Sequence, residues 1–143
     1  STLPLTLFPY TTLFRPINNG EIMIRIIQET LTINELVKRE GLYYKKFTNN
    51  PFTGEVLGKF SGKIKNGKSY GEWLIYHKNG QLWMKGIKKD GKMDGRWEFY
   101  SANGQLWSKG EYKYGKKDGL WKFFNADDTL KKTERYKDGV KIE

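Results

Sequence analysis

Along the second half of the chain, apolar and polar positions recur with two superimposed periods. Within short stretches the period is two. Trp73 and Ile75, Trp97 and Phe99, and Trp121 and Phe123 each skip one residue, as in a strand with one face turned inward. Over a longer range the period is 24 residues: Gly71-Glu72-Trp73 returns as Gly95-Arg96-Trp97 and Gly119-Leu120-Trp121. Tyr76, Tyr100 and Phe124 keep this step, as do Leu82, Leu106 and Leu130, while Gly67, Gly91, Gly115 and Gly139 keep it throughout. A fixed period of this length marks an array of supersecondary units that bury their apolar faces against one another.

Turn signals make each unit a β-hairpin. Asn79-Gly80 and Asn103-Gly104 sit between residues of high strand propensity, and Asn-Gly suits a type I′ turn because both central residues there need positive φ. The segments Asp90–Gly95 and Gly115–Gly119 then reverse the chain into the next hairpin. A two-residue turn fixes the register. It pairs Tyr76 with Trp83, Ile75 with Met84, Leu74 with Lys85 and Trp73 with Gly86. One unit later it pairs Tyr100 with Trp107, Phe99 with Ser108, Glu98 with Lys109 and Trp97 with Gly110. Each Trp would thus face a Gly that leaves room for an indole, and Glu98 would face an opposite charge. One face then carries Trp73, Ile75, Leu82, Met84 and their repeats and is the more buried. The other alternates Tyr76, Trp83, Tyr100, Trp107 and Phe124 with Lys85, Glu98, Lys109, Lys122 and Lys131.

The ends of the array depart from the pattern. In the last unit Asn-Gly becomes Asp127-Asp128, the second Trp becomes Lys131, and the glycine in register becomes Glu134. A polar, atypical unit is expected where an array must be capped. The first unit is shortened: Pro51-Phe52-Thr53-Gly54 leads into Glu55-Val56-Leu57, with Gly62 and Gly67 in register with Gly86 and Gly91. The expected units are about 51–70 (shortened), 71–94, 95–118 and 119–142.

The unit Gly-x-Trp-x-x-Tyr-x-x-Asn-Gly-x-Leu, followed by Lys-x-Gly-Lys-x-Asp-Gly, resembles the MORN-repeat variant family of bacterial proteins over about two-thirds of the chain, from Pro51 to Val140. The lead-in Arg39-Glu-Gly-Leu-Tyr-Tyr44 and Pro51-Phe-Thr-Gly54 is similar to the segment that precedes the array in many members. The resemblance implies an all-β fold: an elongated, single-layer, twisted antiparallel sheet of tandem hairpins. It also implies binding, since proteins of this type are commonly labelled antitoxins or immunity proteins that neutralise a partner toxin. The wider family is associated with membrane lipid and scaffold contacts. The motif is architectural and carries no catalytic residues.

The N-terminal third reads differently. Residues 1–15 hold two prolines, five Ser/Thr side chains and no charge before Arg15, which fits neither the array nor a signal peptide. Residues 1–22 are read as a non-native or disordered tail, with Met23 a plausible start. Residues 23–50 are read as lead-in strands packing on the array. There Leu31–Arg39 leans towards strand, and Glu40-Gly41 is a turn before Leu42–Phe47, giving a hairpin expected to pair with the array's first edge.

Composition narrows the chemistry. The chain has 143 residues, 15% of them aromatic, so Trp, Tyr and Phe must organise the core. It has no cysteine, which excludes disulfides and thiolate chemistry, and its one histidine, His77, cannot form a multi-histidine metal site within one chain. The array holds 20 of the 26 Lys/Arg and 12 of the 16 Asp/Glu, so most of the net charge of +10 is its own. Such a charge favours acidic partners. Asp90, Asp94, Asp118 and Asp138 recur in Gly-rich turns, where Asp bonds its own backbone, and do not form a unique acid–base pair or calcium loop. His77 reads as an ordinary surface residue. No cofactor, metal site or catalytic residue is expected.

What remains is a surface. Its expected partner-binding residues are Tyr76, Trp83, Lys85, Tyr100, Trp107 and Lys109, where aromatics interleave with lysines. The expected function is a non-catalytic module binding a protein, as an antitoxin or immunity protein does. The alternative is an anionic membrane lipid-binding or scaffold module using the same basic aromatic face. Nucleic acid is disfavoured because acidic residues are interspersed along the array. Open sheet edges leave room for a homodimer. The compartment stays open, with the cytoplasm favoured, since a missing N-terminus would take any export signal with it.

Overall fold

The computed structural model describes residues 10–16 and 22–143, with side-chain surroundings from Gln28 onward. The reading of residues 1–22 as a foreign tail therefore falls partly on residues outside that description. In the lead-in, β1 (Tyr10–Pro16) pairs antiparallel with β2 (Ile22–Gln28). Next come β3 (Thr30–Thr32), a 3-10 turn at Ile33–Glu35, and the hairpin of β4 (Leu36–Arg39) and β5 (Leu42–Lys45). The array follows as β6 (Gly54–Leu57), β7 (Phe60–Lys65), β8 (Lys68–Tyr76), β9 (Leu82–Lys89) and β10 (Lys92–Tyr100). It ends with β11 (Leu106–Lys113), β12 (Lys116–Phe124), β13 (Leu130–Lys137) and β14 (Val140–Lys141). No α-helix occurs among the described residues. The strands β6 to β14 form a continuous antiparallel meander, a single long open sheet whose tenth strand is β3.

Two kinds of turn alternate along the meander, and they exchange the roles the sequence assigns them. The type I′ turns lie between units. Asp90 and Gly91 both adopt positive φ (50° and 81°), and Lys89 pairs directly with Lys92, so the strand restarts where a longer loop was expected. The Asn-Gly segments form a larger loop. His77 N–H donates to the Gln81 carbonyl and Gly80 N–H to the His77 carbonyl (2.8 and 3.0 Å). Gly80 is left-handed at φ 86°, whereas Asn79 is not among the positive-φ residues. This is a three-residue hairpin loop closed by a glycine bulge. The cause is the Asn side chain: its Oδ1 accepts the Gln81 N–H at 3.0 Å, a local bond that holds Asn79 out of the left-handed region.

The extra loop residue moves the register. Trp73–Gly86, Leu74–Lys85 and Ile75–Met84 pair as expected, but Tyr76 pairs with Leu82, and Trp83 is bulged out. The next hairpin repeats this, with Tyr100 opposite Leu106 and Trp107 bulged. Even the Asp127-Asp128 loop keeps the design. Asp127 Oδ1 accepts the Thr129 N–H at 3.0 Å, and Asp128 takes the left-handed place at φ 67° without being glycine.

The core runs through the tryptophans. Trp73, Trp97 and Trp121 are all but inaccessible. Trp97 pairs with Gly86 and Gly110, Trp73 pairs with Gly86 and lies over Gly62, and Trp121 pairs with Glu134 and lies over Gly110. Each indole leans over the glycine of the preceding unit: a Cβ on Gly62, Gly86 or Gly110 would come within 2.3, 2.2 or 2.3 Å of Trp73, Trp97 or Trp121. The glycine therefore serves the next Trp rather than the one in its own unit. Trp97 and Trp121 donate their Nε1–H to the carbonyls of Ile87 and Glu111, and Tyr112 packs edge-on to both. After Trp121 no further indole arrives, so Glu134 can occupy the glycine position.

At the other end the lead-in closes the core. Leu31, Leu36, Phe52, Val56 and Ile64 cluster with Trp73 and Trp97. The strand that extends the first edge is β3, parallel to β6, rather than the expected hairpin. The β4–β5 hairpin forms its own two-stranded sheet and docks through Tyr43, whose N–H donates to the Gly67 carbonyl at 2.8 Å.

Candidate binding surface

The bulges decide where the six expected contact residues go, and they divide them. Tyr76, Lys85, Tyr100 and Lys109 stay on one face. Trp83 and Trp107 are turned towards the other, the face of the buried indoles. Trp107 packs at 6.1 Å from Phe99 and 6.3 Å from Phe123, and Phe99 in turn touches Trp121. Trp83, bulged in the same way, packs at 5.7 Å against His77. Leu82 and Leu106, expected on the buried face, pair with Tyr76 and Tyr100 instead. The physical reason is the single added loop residue, because side-chain direction in a strand has a period of two.

On the tyrosine face, one row crosses the sheet as Leu74, Lys85, Glu98, Lys109 and Lys122, each opposite the next. Glu98 is its hinge. It accepts the Tyr100 hydroxyl at 2.5 Å and lies 3.4 Å from Lys85 Nζ. The Tyr100 hydrogen bond, with the charges of Lys85 and Lys109, holds its carboxyl below the usual range. Burial and the same carboxylate push the Tyr100 phenol up. Lys85 also lies 6.0 Å from the Tyr100 ring centre, and Lys109 5.7 Å from that of Phe124. Glu98 thus offsets one of the three lysines of the row, while Lys109 and Lys122 stand opposed as like charges.

On the indole face the exposed elements are aromatic. Trp83 and Trp107 are 38% and 43% exposed, against 2% or less for the other three tryptophans. Lys132 extends the strip, its ammonium 4.9 Å from the Phe123 ring centre. His77 proves more than a bystander: it is half-buried, and its ring Nε2 is 2.8 Å from the Tyr100 carbonyl, tying two successive loops. Asn79 does the same through Nδ2 to the Ala102 carbonyl (2.7 Å), and Gln105 through its amide to Ala126. The 24-residue spacing of these loops is the signal that could have predicted this ladder. Of the recurring turn aspartates, Asp94 accepts a backbone N–H not from its own turn, as expected, but from Tyr114 in the next one, at 3.1 Å.

Comparison with curated proteins finds no match. Comparison with protein families finds the MORN repeat variant three times, at residues 69–87, 93–114 and 117–138. Each match spans most of one unit of the meander and contains its buried Trp or the cradle beside it. MORN repeats are in general binding modules for proteins or lipids. Residues 69–138 of this chain thus carry three MORN repeats of the variant type.

Proposed function

We propose that this protein is a non-catalytic binding module that acts by gripping another protein, as an antitoxin or immunity protein grips its toxin. One observation carries the reading. Of five tryptophans, three are spent on the core, while Trp83 and Trp107 remain exposed on one face at the repeat spacing. Exposed indoles on rigid strands bury large area at little entropic cost and are the commonest interface anchors. Trp107 is braced by Phe99 and Phe123, so it is already held for contact. Tyr76, Lys85, Tyr100 and Lys109 form a second contact surface on the opposite face. The anionic-lipid alternative through that face is the weaker one, because Glu98 pairs with Lys85 and removes part of the positive charge it would need.

The test is co-expression with the product of the neighbouring gene, followed by co-purification and titration. The native chain should relieve its toxicity and form a complex. Trp83→Ala/Trp107→Ala should keep the β-sheet spectrum and lose about 2 kcal/mol or more of binding per indole, as hot-spot residues do. Absence of both complex and relief with the native chain removes the reading. Retention of full affinity by the double variant removes the assigned surface.

A further inference from the structure

Folding sorts the lysines in a way the chain order hides. Every type I′ turn of the array lies at one edge of the sheet, and three of the four are flanked by directly opposed lysines: Lys65 with Lys68, Lys89 with Lys92, and Lys113 with Lys116. The fourth turn adds Lys137, opposite Val140. All are exposed, and none forms an ion pair among the described residues. Against them stand Asp90 and Asp138 at the turn tips and Asp94, whose carboxylate reaches the Tyr114 N–H. The opposite edge is balanced, with Lys59 and Lys78 against Asp127 and Asp128 in its four loops.

The turns are locked into a file. Gly91, Gly115 and Gly139 each donate an N–H to the strand that begins after the previous turn, at Ser69, Met93 and Lys117 (2.9, 2.8 and 2.9 Å). A Cβ on Gly115 or Gly139 would meet the stem of Lys92 or Lys116 at 3.7 or 3.5 Å, so each turn lies beside a lysine of the one before. Successive turns are two strands apart, so the lysine pairs recur about every 10 Å along the edge. Like charges held opposite one another cost stability, and the fold repeats that cost at three successive turns. Between the first two turns, Lys65, Asn66, Lys68, Tyr70 and Asp90 line a shallow hollow.

Tyr114 is the second, independent observation. It stands at a turn tip where the other units have Asn66, Asp90 and Asp138, residues suited to its left-handed backbone (φ 51°). A tyrosine there is strained. It is also 68% exposed, and its ring has no aromatic neighbour among the described residues. Its side chain has no cation partner among the described residues either. An exposed ring between Lys113 and Lys116 can stack on a base while the lysines meet phosphates.

We infer that the lysine-flanked turn edge binds a nucleic-acid strand, the phosphodiester backbone running along the file and Tyr114 stacking on a base. The lysines form a line rather than a plane, and their regular spacing matches a ligand whose charge is itself regularly spaced. The edge has no cluster of Leu, Phe or Trp to seat in a bilayer. It lies at the opposite ends of the strands from Trp83 and Trp107, so the two surfaces are independent.

Fluorescence anisotropy of the full-length chain with a 20-nucleotide single-stranded DNA across a salt series tests this. The native chain should bind at low salt with a log–log slope near −5, about 0.7 per neutralised phosphate. Replacing Lys89, Lys92, Lys113 and Lys116 by Ala should flatten the slope by about 3. The equal-charge control, alanine at Lys85, Lys109, Lys122 and Lys131, should leave most of the slope. Tyr114→Asn should hold or raise the melting temperature while weakening binding about tenfold, within the range for one lost stack. No binding at low salt, equal loss in both lysine variants, or edge-dependent binding to phosphatidylserine vesicles but not to the oligonucleotide would each overturn it. Trp83→Ala/Trp107→Ala should bind the oligonucleotide normally whatever it does to a protein partner.

Discussion

The glycines of this chain are required for two different reasons, and single substitutions separate them. Gly86 and Gly110 are required for space, since an indole occupies the volume of their missing side chain. Gly110→Ala must push Trp121 off its seat, an overpacking that should cost about 1–3 kcal/mol. Thermal unfolding followed by circular dichroism reads this directly. Gly80 and Gly104 have open or loosely filled space but left-handed backbones, so alanine there should cost less, about 1 kcal/mol. Glu134 stands at the cradle position and is tolerated because no Trp follows. Its carboxylate accepts Lys132 Nζ (2.8 Å), the Tyr136 hydroxyl (2.6 Å) and Lys141 Nζ (3.2 Å). These bonds, Lys132 first, hold its pKa down to about 2. A depressed carboxyl contributes stability above its unfolded pKa and loses it as pH falls towards the folded value. Native stability should therefore decline between pH 4.5 and about 2 more steeply than that of Glu134→Gln. Parallel acid limbs would contradict the cap's role.

At the level of elements, the sequence shows the strands clearly and the loops poorly. The 24-residue step, the alternation within strands and three of four pairs in each hairpin were readable because buried Trp and cradle Gly recur in fixed register. The loop type was not readable from Asn-Gly alone. The same dipeptide serves a type I′ turn or a three-residue loop, and Oδ1 of Asn79 and Asn103 selects the latter by bonding Gln81 and Gln105. That one residue moved Trp83 and Trp107 across the sheet and divided the expected contact surface. The parallel β3–β6 pair was also hidden, because it joins Thr30 to Glu55 without a local turn signal. The loop account makes a prediction of opposite sign to most mutations. Asp128 holds a left-handed backbone at φ 67° in the place of Gly80 and Gly104, so Asp128→Gly should be neutral or stabilise by up to about 1 kcal/mol. Urea unfolding midpoints for Asp128→Gly and Gly104→Ala should move in opposite directions.

At the scale of the molecule, the periodic residues build a scaffold, and its distinctive surfaces come from what varies around them. One end is closed by the lead-in's apolar cluster and the other by Glu134. The indole strip, the tyrosine row and the lysine edge then occupy different parts of one sheet. The lysines of the inter-unit turns were readable from their spacing, whereas their direct opposition across each turn rests on the type I′ register that the Asn-Gly signal placed elsewhere. The central claim is that Trp83 and Trp107 are contact residues rather than core. The most direct measurement is calorimetric titration of the neighbouring-gene product into the native chain and into Trp83→Ala/Trp107→Ala, beside their melting curves. The account predicts nearly equal melting temperatures and at least about a thousandfold loss of affinity for two hot-spot residues. A double variant that melts far lower, or that binds as tightly as the native chain, would contradict it.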